Sequence, residues 1–167
     1  MATQLYETDF YEWTQRQAAV LRRMAAERAN SELDLEHLAE EIESVGGSDK
    51  KEVKSRLTTI LEHMLKIAYS PAYEPLNGWR GTVRTQRRDL LATLDQSPSL
   101  RRVVRDEFDR CYSDAVEDAR LSHIDLSLAP IPSSTPFDLD DQVLNPDWLP
   151  EPLIRSPGDH YLQDRRR

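Results

Sequence analysis

The sequence predicts an all-α protein: a compact bundle of about five helices with a Pro-rich C-terminal strap. Three observations lead there. Apolar residues recur at three- and four-residue spacing through most of the first 121 positions. No run has the two-residue alternation of a β-strand. Seven of the ten prolines lie within positions 130–157, where the helical period stops.

Thr8 or Asp9 can cap a first helix, with Glu12 at capping-box distance from Asp9. Phe10, Trp13, Gln17, Val20, Leu21 and Met24 then keep helical spacing to about Arg28, before the break at Ala29-Asn30-Ser31. A second helix is expected at about 35–45, with Leu35, Leu38, Ala39, Ile42 and Val45 on one side and Glu36, Glu40 and Glu43 on the other. Asp34 is its N-cap, and Gly46-Gly47 is read as its stop and the site of a tight reversal. Ser48 caps the third helix, whose Val53, Leu57, Ile60, Leu61, Met64, Leu65, Ile67 and Ala68 cover roughly 160° of arc. That width marks a central helix, ending near Tyr69 because Pro71 and Pro75 cannot continue it.

The fourth helix runs from about Trp79 to Leu94 on Trp79, Val83, Gln86, Leu90 and Leu94. Ser97-Pro98, a cap followed by proline at the first helical position, starts a fifth that reaches about Leu121. Its stripe is Leu100, Val103, Val104, Phe108, Cys111, Tyr112, Ala115 and Ala119, with Glu107, Asp114 and Asp118 on the stripe or its flank. The strap after His123 is expected to hold a helical turn or two at about 138–144, anchored by Trp148 and Leu149. One helical domain over 5–150 is therefore expected, with a mobile tail at 151–167.

At 167 residues the chain can bury a real core, and 31% charged residues suit a water-soluble protein. No apolar run approaches the roughly 18–20 residues of a membrane span, and the N-terminus lacks a signal peptide's basic and apolar regions. Cys111, the single cysteine, excludes an internal disulfide and a Cys-based zinc cluster, so a cytoplasmic location is expected. A net charge of 22 − 30 = −8 argues against nucleic acid as a partner. None of Gly46, Gly47, Gly78, Gly81 and Gly158 opens a phosphate-binding loop, and no cofactor is expected.

Several stretches resemble a bacterial family, the domain of unknown function twenty-nine. They begin with Tyr6-Glu7-Thr8-Asp9-Phe10-Tyr11-Glu12-Trp13 and with Leu35 through Gly46. Leu61 through Lys66, Trp79 through Arg87, Ser97 through Arg101, Tyr112 through Ala115 and Asn145 through Pro150 follow in order. The resemblance covers about residues 5–150 and implies a small helical protein; it brings no reaction, ligand or catalytic residue.

Four constellations invite chemistry. His37 with Glu40 and Glu41 has the i, i+3 and i, i+4 spacing of metal ligands, and Glu62-His63 could add a second pair. His37 and Glu40 fall on the polar side, however, so a solvated face is the preferred reading. Arg56 and His63, seven apart on the third helix, look like the Arg-x6-His motif of helical HEPN-type ribonucleases. There a His transfers protons and an Arg steadies phosphate charge; a structural hydrogen-bonding flank is the competing reading. Arg80, Arg84, Arg87 and Arg88 form a stripe on the fourth helix, with no acid between positions 75 and 88. They could bind phosphate, but internal pairing with Glu107, Asp114 and Asp118, or with Glu40, Glu41 and Glu43, is expected, since acids on a core stripe need partners. Cys111 reads as a small core residue.

Together these readings favour a non-enzymatic adaptor or regulatory protein acting on a protein partner, a second copy of the chain included. A phosphodiester-cleaving enzyme using Arg56 and His63 is the alternative, and a metal-binding bundle is a third.

Overall fold

The computed structural model describes residues 2–27, 32–72 and 74–153. Its elements are α1 (Ala2–Thr8), α2 (Phe10–Ala26), α3 (Leu35–Tyr69), α4 (Leu76–Gln96) and α5 (Leu100–Leu121), then a π-helical turn (Leu139–Val143). The described residues contain no strand, so the all-α class holds. The tail expected at 151–167 lies, from 154 onward, outside the described residues.

Among the described residues there are five α-helices, but two of them are not those the spacing suggests. A short α1 precedes Asp9, which at φ −158 breaks the helix and caps α2 by accepting from Glu12 N at 3.0 Å. More consequentially, the helices expected at 35–45 and 48–69 are one 35-residue helix. Gly46 and Gly47 neither stop nor reverse it, and no described glycine takes a positive φ. Gly46 is small for another reason. A Cβ there would lie 2.2 Å from Thr14 Oγ1 and 3.2 Å from Thr14 Cβ, so its lack of a side chain is what lets α2 approach α3. The helix-propensity deficit, about 1 kcal/mol per glycine, is offset by that packing. Ser48 is consequently mid-helix rather than a cap, its hydroxyl donating to Ser44 O.

The described residues divide into two compact units, one within 1–55 and 89–107 and the other within 56–88 and 108–153. In the first, Ala18, Leu35, Ala39, Val53, Leu90, Leu94, Leu100 and Val104 are buried. The N-termini of α2 and α5 exchange caps here. Asp9 accepts from Ser99 N and Ser99 Oγ, both at 2.8 Å, while Ser97 Oγ accepts from Tyr11 N at 3.2 Å. Ser97 therefore serves the neighbouring helix, and Pro98-Ser99 form a turn ahead of α5. Arg22 pairs with Glu43, joining α2 to α3, and Lys54 and Lys50 answer the half-buried Glu107 at 2.9 and 4.0 Å.

In the second unit Leu57, Ile60, Leu61, Met64, Leu65, Ile67, Val83, Tyr112, Ala115 and Val143 are buried. The strap satisfies the end of α3, where helix carbonyls lack intrahelical donors. Leu128 N donates to Tyr69 O and Leu153 N to Ala68 O. Tyr112 Oη donates to Pro132 O at 2.7 Å. The helical turn expected at about 138–144 is the π-turn, capped by Asp138. Its anchors are Phe137, Val143, Leu144 and Pro150, all buried, more than the partly exposed Trp148 and Leu149. Asp114 and Asp118, expected on or beside the buried stripe of α5, are exposed.

Candidate functional site

The Arg stripe is the most informative polar feature, because its four members end up in different environments. Leu76, Trp79, Val83, Leu90 and Leu94 are buried along α4, and Arg87 falls within that row, four after Val83 and three before Leu90. Arg87 is accordingly 1% exposed. Its guanidinium donates to three strap carbonyls: Nε to Val143 O (2.8 Å), Nη1 to Trp148 O (2.9 Å) and Nη2 to Gln142 O (3.1 Å). Two of these close the C-terminal end of the π-turn, where aligned peptide dipoles leave partial negative charge. Burial, with the Arg84 charge nearby, lowers its pKa to about 10, so it stays cationic at neutral pH. The expected pairing with acids is thus replaced by pairing with backbone. Arg84 and Arg88 are exposed; Arg80 is half-buried, and its Nε has no hydrogen-bond partner among the described residues.

The Arg56 and His63 pair is spent partly on structure. Arg56 Nη1 donates to Gln86 Oε1 at 3.0 Å, tying α3 to α4. His63 Nδ1 lies 2.9 Å from Thr59 O; since a carbonyl only accepts, Nδ1 carries a proton. Burial holds the imidazole below its ordinary pKa, leaving Nε2 as the basic nitrogen. Glu62 lies between Lys66, 2.5 Å from its Oε1, and His63, 3.7 Å from its Oε2.

At the start of α3, Asp34 accepts from His37 N at 3.2 Å and faces His37 Nδ1 at 2.5 Å. This is the N-cap expected of Asp34, reinforced by an imidazole. The hydrogen bond raises the His37 pKa and lowers that of Asp34. Glu40 and Glu41 stand exposed beside it. Among the described residues no three His, Cys, Asp or Glu side chains converge to hold a metal ion, so His37, Glu40 and Glu41 are not brought together as ligands. Cys111 is a buried thiol on α5.

A second feature is apolar. Val20 and Met24 on α2 are each 37% exposed, and Leu38 and Val45 on α3 are 38% and 49% exposed. Tyr6 is also exposed and stacks edge-on against Phe10 and Trp13. Leu38 and Val45 stand roughly 90° from the buried row Leu35, Ala39, Gly46 and Val53, Met24 roughly 100° from Thr14 and Ala18, and Val20 roughly 140°, toward the outer side of α2. Thr14 against Gly46 and Arg22 paired with Glu43 run α2 and α3 in opposite directions, so Met24, Leu38 and Val45 fall on one side. A signal existed in the sequence: Leu35 through Val45 carries more apolar positions than one buried row of α3 can accept.

Residues 5–149 match the model of a family described as Domain of unknown function DUF29. The chain belongs to the DUF29 family. The resemblance noted above is therefore correct over nearly its whole expected extent. This DUF29 chain is also similar to a crystallised α-helical protein of unknown function from Rhodospirillum rubrum. The two share 28% identity and a TM-score of 0.68, over 86% of this chain and 90% of that one. No curated protein matches the sequence. Among the described residues no helix is long and apolar enough to cross a membrane.

Proposed function

We propose that this DUF29 protein is a non-enzymatic adaptor or regulatory protein of the cytoplasm that acts through protein–protein contacts at the α2–α3 face. One observation carries the reading: Met24 on α2 and Leu38 and Val45 on α3 expose apolar surface on two helices that pack together through Thr14 and Gly46. Contiguous exposed apolar patches mark contact surfaces. The best-placed polar groups, by contrast, already serve the fold: Arg87 holds the strap, Asp9 caps two helices and Glu107 answers Lys54. The test is affinity capture from a native lysate with the full chain and with Leu38→Lys/Val45→Lys. A partner bound by the first and lost by the second supports the reading. Capture of the same proteins by both overturns it.

The phosphodiester-cleaving alternative has one observation in its favour, a His63 imidazole kept neutral by burial with Nε2 basic. Such a group can serve as a general base. RNA cleavage by the pure protein, abolished by His63→Ala and by Arg56→Ala, would favour it; cleavage unchanged by both would remove it.

A further inference from the structure

We infer that Arg80 and Arg84 on α4 form a binding site for a phosphate monoester, carried either by a phosphorylated side chain of a partner protein or by a phosphorylated small molecule. The site goes beyond the proposed function, since it uses neither α2 nor α3. Four residues apart, the two side chains stand about 40° from each other around the helix and share one side of it. Arg80 is half-buried and Arg84 is exposed. Neither makes a hydrogen bond or an ion pair with any described residue. Arg80 Nε is covered and still without a partner, while its Nη groups are not covered. The guanidinium is therefore held by packing at its inner edge and open at its outer end.

These charges stand together at a cost to the helix. Arg80 with Arg84, and Arg84 with Arg88, are like charges at i, i+4, and Arg84 also lies beside the cationic Arg87; such pairs destabilise a helix. No acid occurs between positions 75 and 88, and none stands in the first turn of α4 to offset its positive end. The other two cations of the stripe have partners: Arg87 holds the strap carbonyls, and Arg88 is engaged as well. A local conflict that the fold does not resolve marks a functional position. The donors define what is missing. Two guanidinium forks, backed by the Arg87 charge, suit an anion with more than one charge. A phosphate monoester brings about −1.5 to −2 charges at pH 7 and three acceptor oxygens, so it can engage both forks. A carboxylate brings a single charge, which one fork satisfies. Nucleic acid is disfavoured, since the net charge of −8 repels a polyanion.

The test is NMR titration of the isotope-labelled full chain with inorganic phosphate, with sodium chloride at matched ionic strength as the reference. The Nε–H resonances of Arg80 and Arg84 should move with phosphate and not with chloride. Phosphate should also raise the melting temperature of the wild type more than that of Arg80→Gln/Arg84→Gln. Arg80→Gln and Arg84→Gln should each weaken binding of a phosphoserine peptide by roughly tenfold, the worth of one contact to a charged group. Arg23→Gln on α2, which removes the same charge, should leave that binding unchanged. Without ligand, Arg84→Gln should melt no lower than the wild type, because it relieves like-charge repulsion. A lower melting temperature would show that Arg84 serves the fold, and it overturns the inference. Resonances that stay in place, or that move as far with acetate as with phosphate, overturn it too. A phosphoserine peptide that binds more tightly than free phosphoserine assigns the phosphate to a protein; equal or weaker binding of the peptide assigns it to a small molecule.

Discussion

Two junctions in this molecule, one half-buried at Asp9 and one buried at Arg87, solve one problem with opposite charges. At the meeting of the α2 and α5 N-termini, Asp9 gathers donors: Glu12 N, Ser99 N and Ser99 Oγ. At the strap, Arg87 gathers acceptors: the carbonyls of Val143, Trp148 and Gln142. Neither relies on an opposite charge. Helix N-termini present unsatisfied N–H groups and partial positive charge, while the end of a helical turn presents carbonyls and partial negative charge. A carboxylate suits the first and a guanidinium the second. The difference lies in reach. Asp9 ties together helix ends from the chain's first ten residues and its fifth helix, whereas Arg87 is the donor that three carbonyls of an otherwise irregular segment share.

That comparison predicts unequal losses. Arg87→Ala should cost about 3 kcal/mol or more, because it leaves a cavity and three carbonyls without their donor. Chemical denaturation would measure the loss, and hydrogen exchange should rise across residues 138–150. Arg87→Lys should recover less than half, since one ammonium cannot span three carbonyls as a planar fork does. A loss under about 1 kcal/mol would mean the strap is held by its apolar anchors instead.

Asp9→Ala should cost about 2 kcal/mol, the upper range for an N-cap, since it serves two helices. If Ser99→Ala costs as much as Asp9→Ala, the exchange between α2 and α5 matters more than the α2 cap alone. A smaller effect sharpens the view of the same unit. Gly46→Ala should destabilise by about 1–2 kcal/mol through overpacking against Thr14, and Thr14→Ala in the same chain should relieve most of it. Gly47, with open space where its Cβ would stand, should gain about 0.5–1 kcal/mol on substitution by Ala. Thermal denaturation of the three variants tests both signs.

The smallest effects come from pH and run in opposite directions in the two units. His37 has a raised folded pKa through its hydrogen bond to Asp34. Its contribution is present below the ordinary 6.5 and disappears as pH rises through the folded value. His63 has a lowered folded pKa through burial. The unfolded chain then binds the extra proton, and stability falls as pH drops below 6.5 toward the folded value. NMR titration of the two imidazoles should give one midpoint on each side of 6.5. His63→Gln should flatten the acid side of the stability profile, and His37→Gln the neutral side.

Local chemistry was legible wherever a residue's role is decided within a turn of itself. Asp9 and Asp34 cap the helices that the capping pattern assigns to them, α3 ends before Pro71, and a helical turn sits at 139–143. The buried rows of α4 and α5 follow their apolar spacing, and the class is all-α because that spacing recurs. Gly46-Gly47 is where local reasoning fails. Two glycines are a stop signal for an isolated helix, but the proximity of Thr14 turns the first into a packing device and lets the helix continue. Arg87 fails for a related reason. The spacing put Gln86 in the apolar row and Arg87 beside it, whereas Arg87 is the buried one, and its partners are backbone carbonyls 55 to 61 residues away, which carry no sequence signature. The sequence by itself determined the all-α class and most of the buried rows of α4 and α5. The tertiary structure alone decided that two expected helices are one and that a buried arginine is answered by peptide dipoles rather than by acids, because both depend on neighbours far away in the chain.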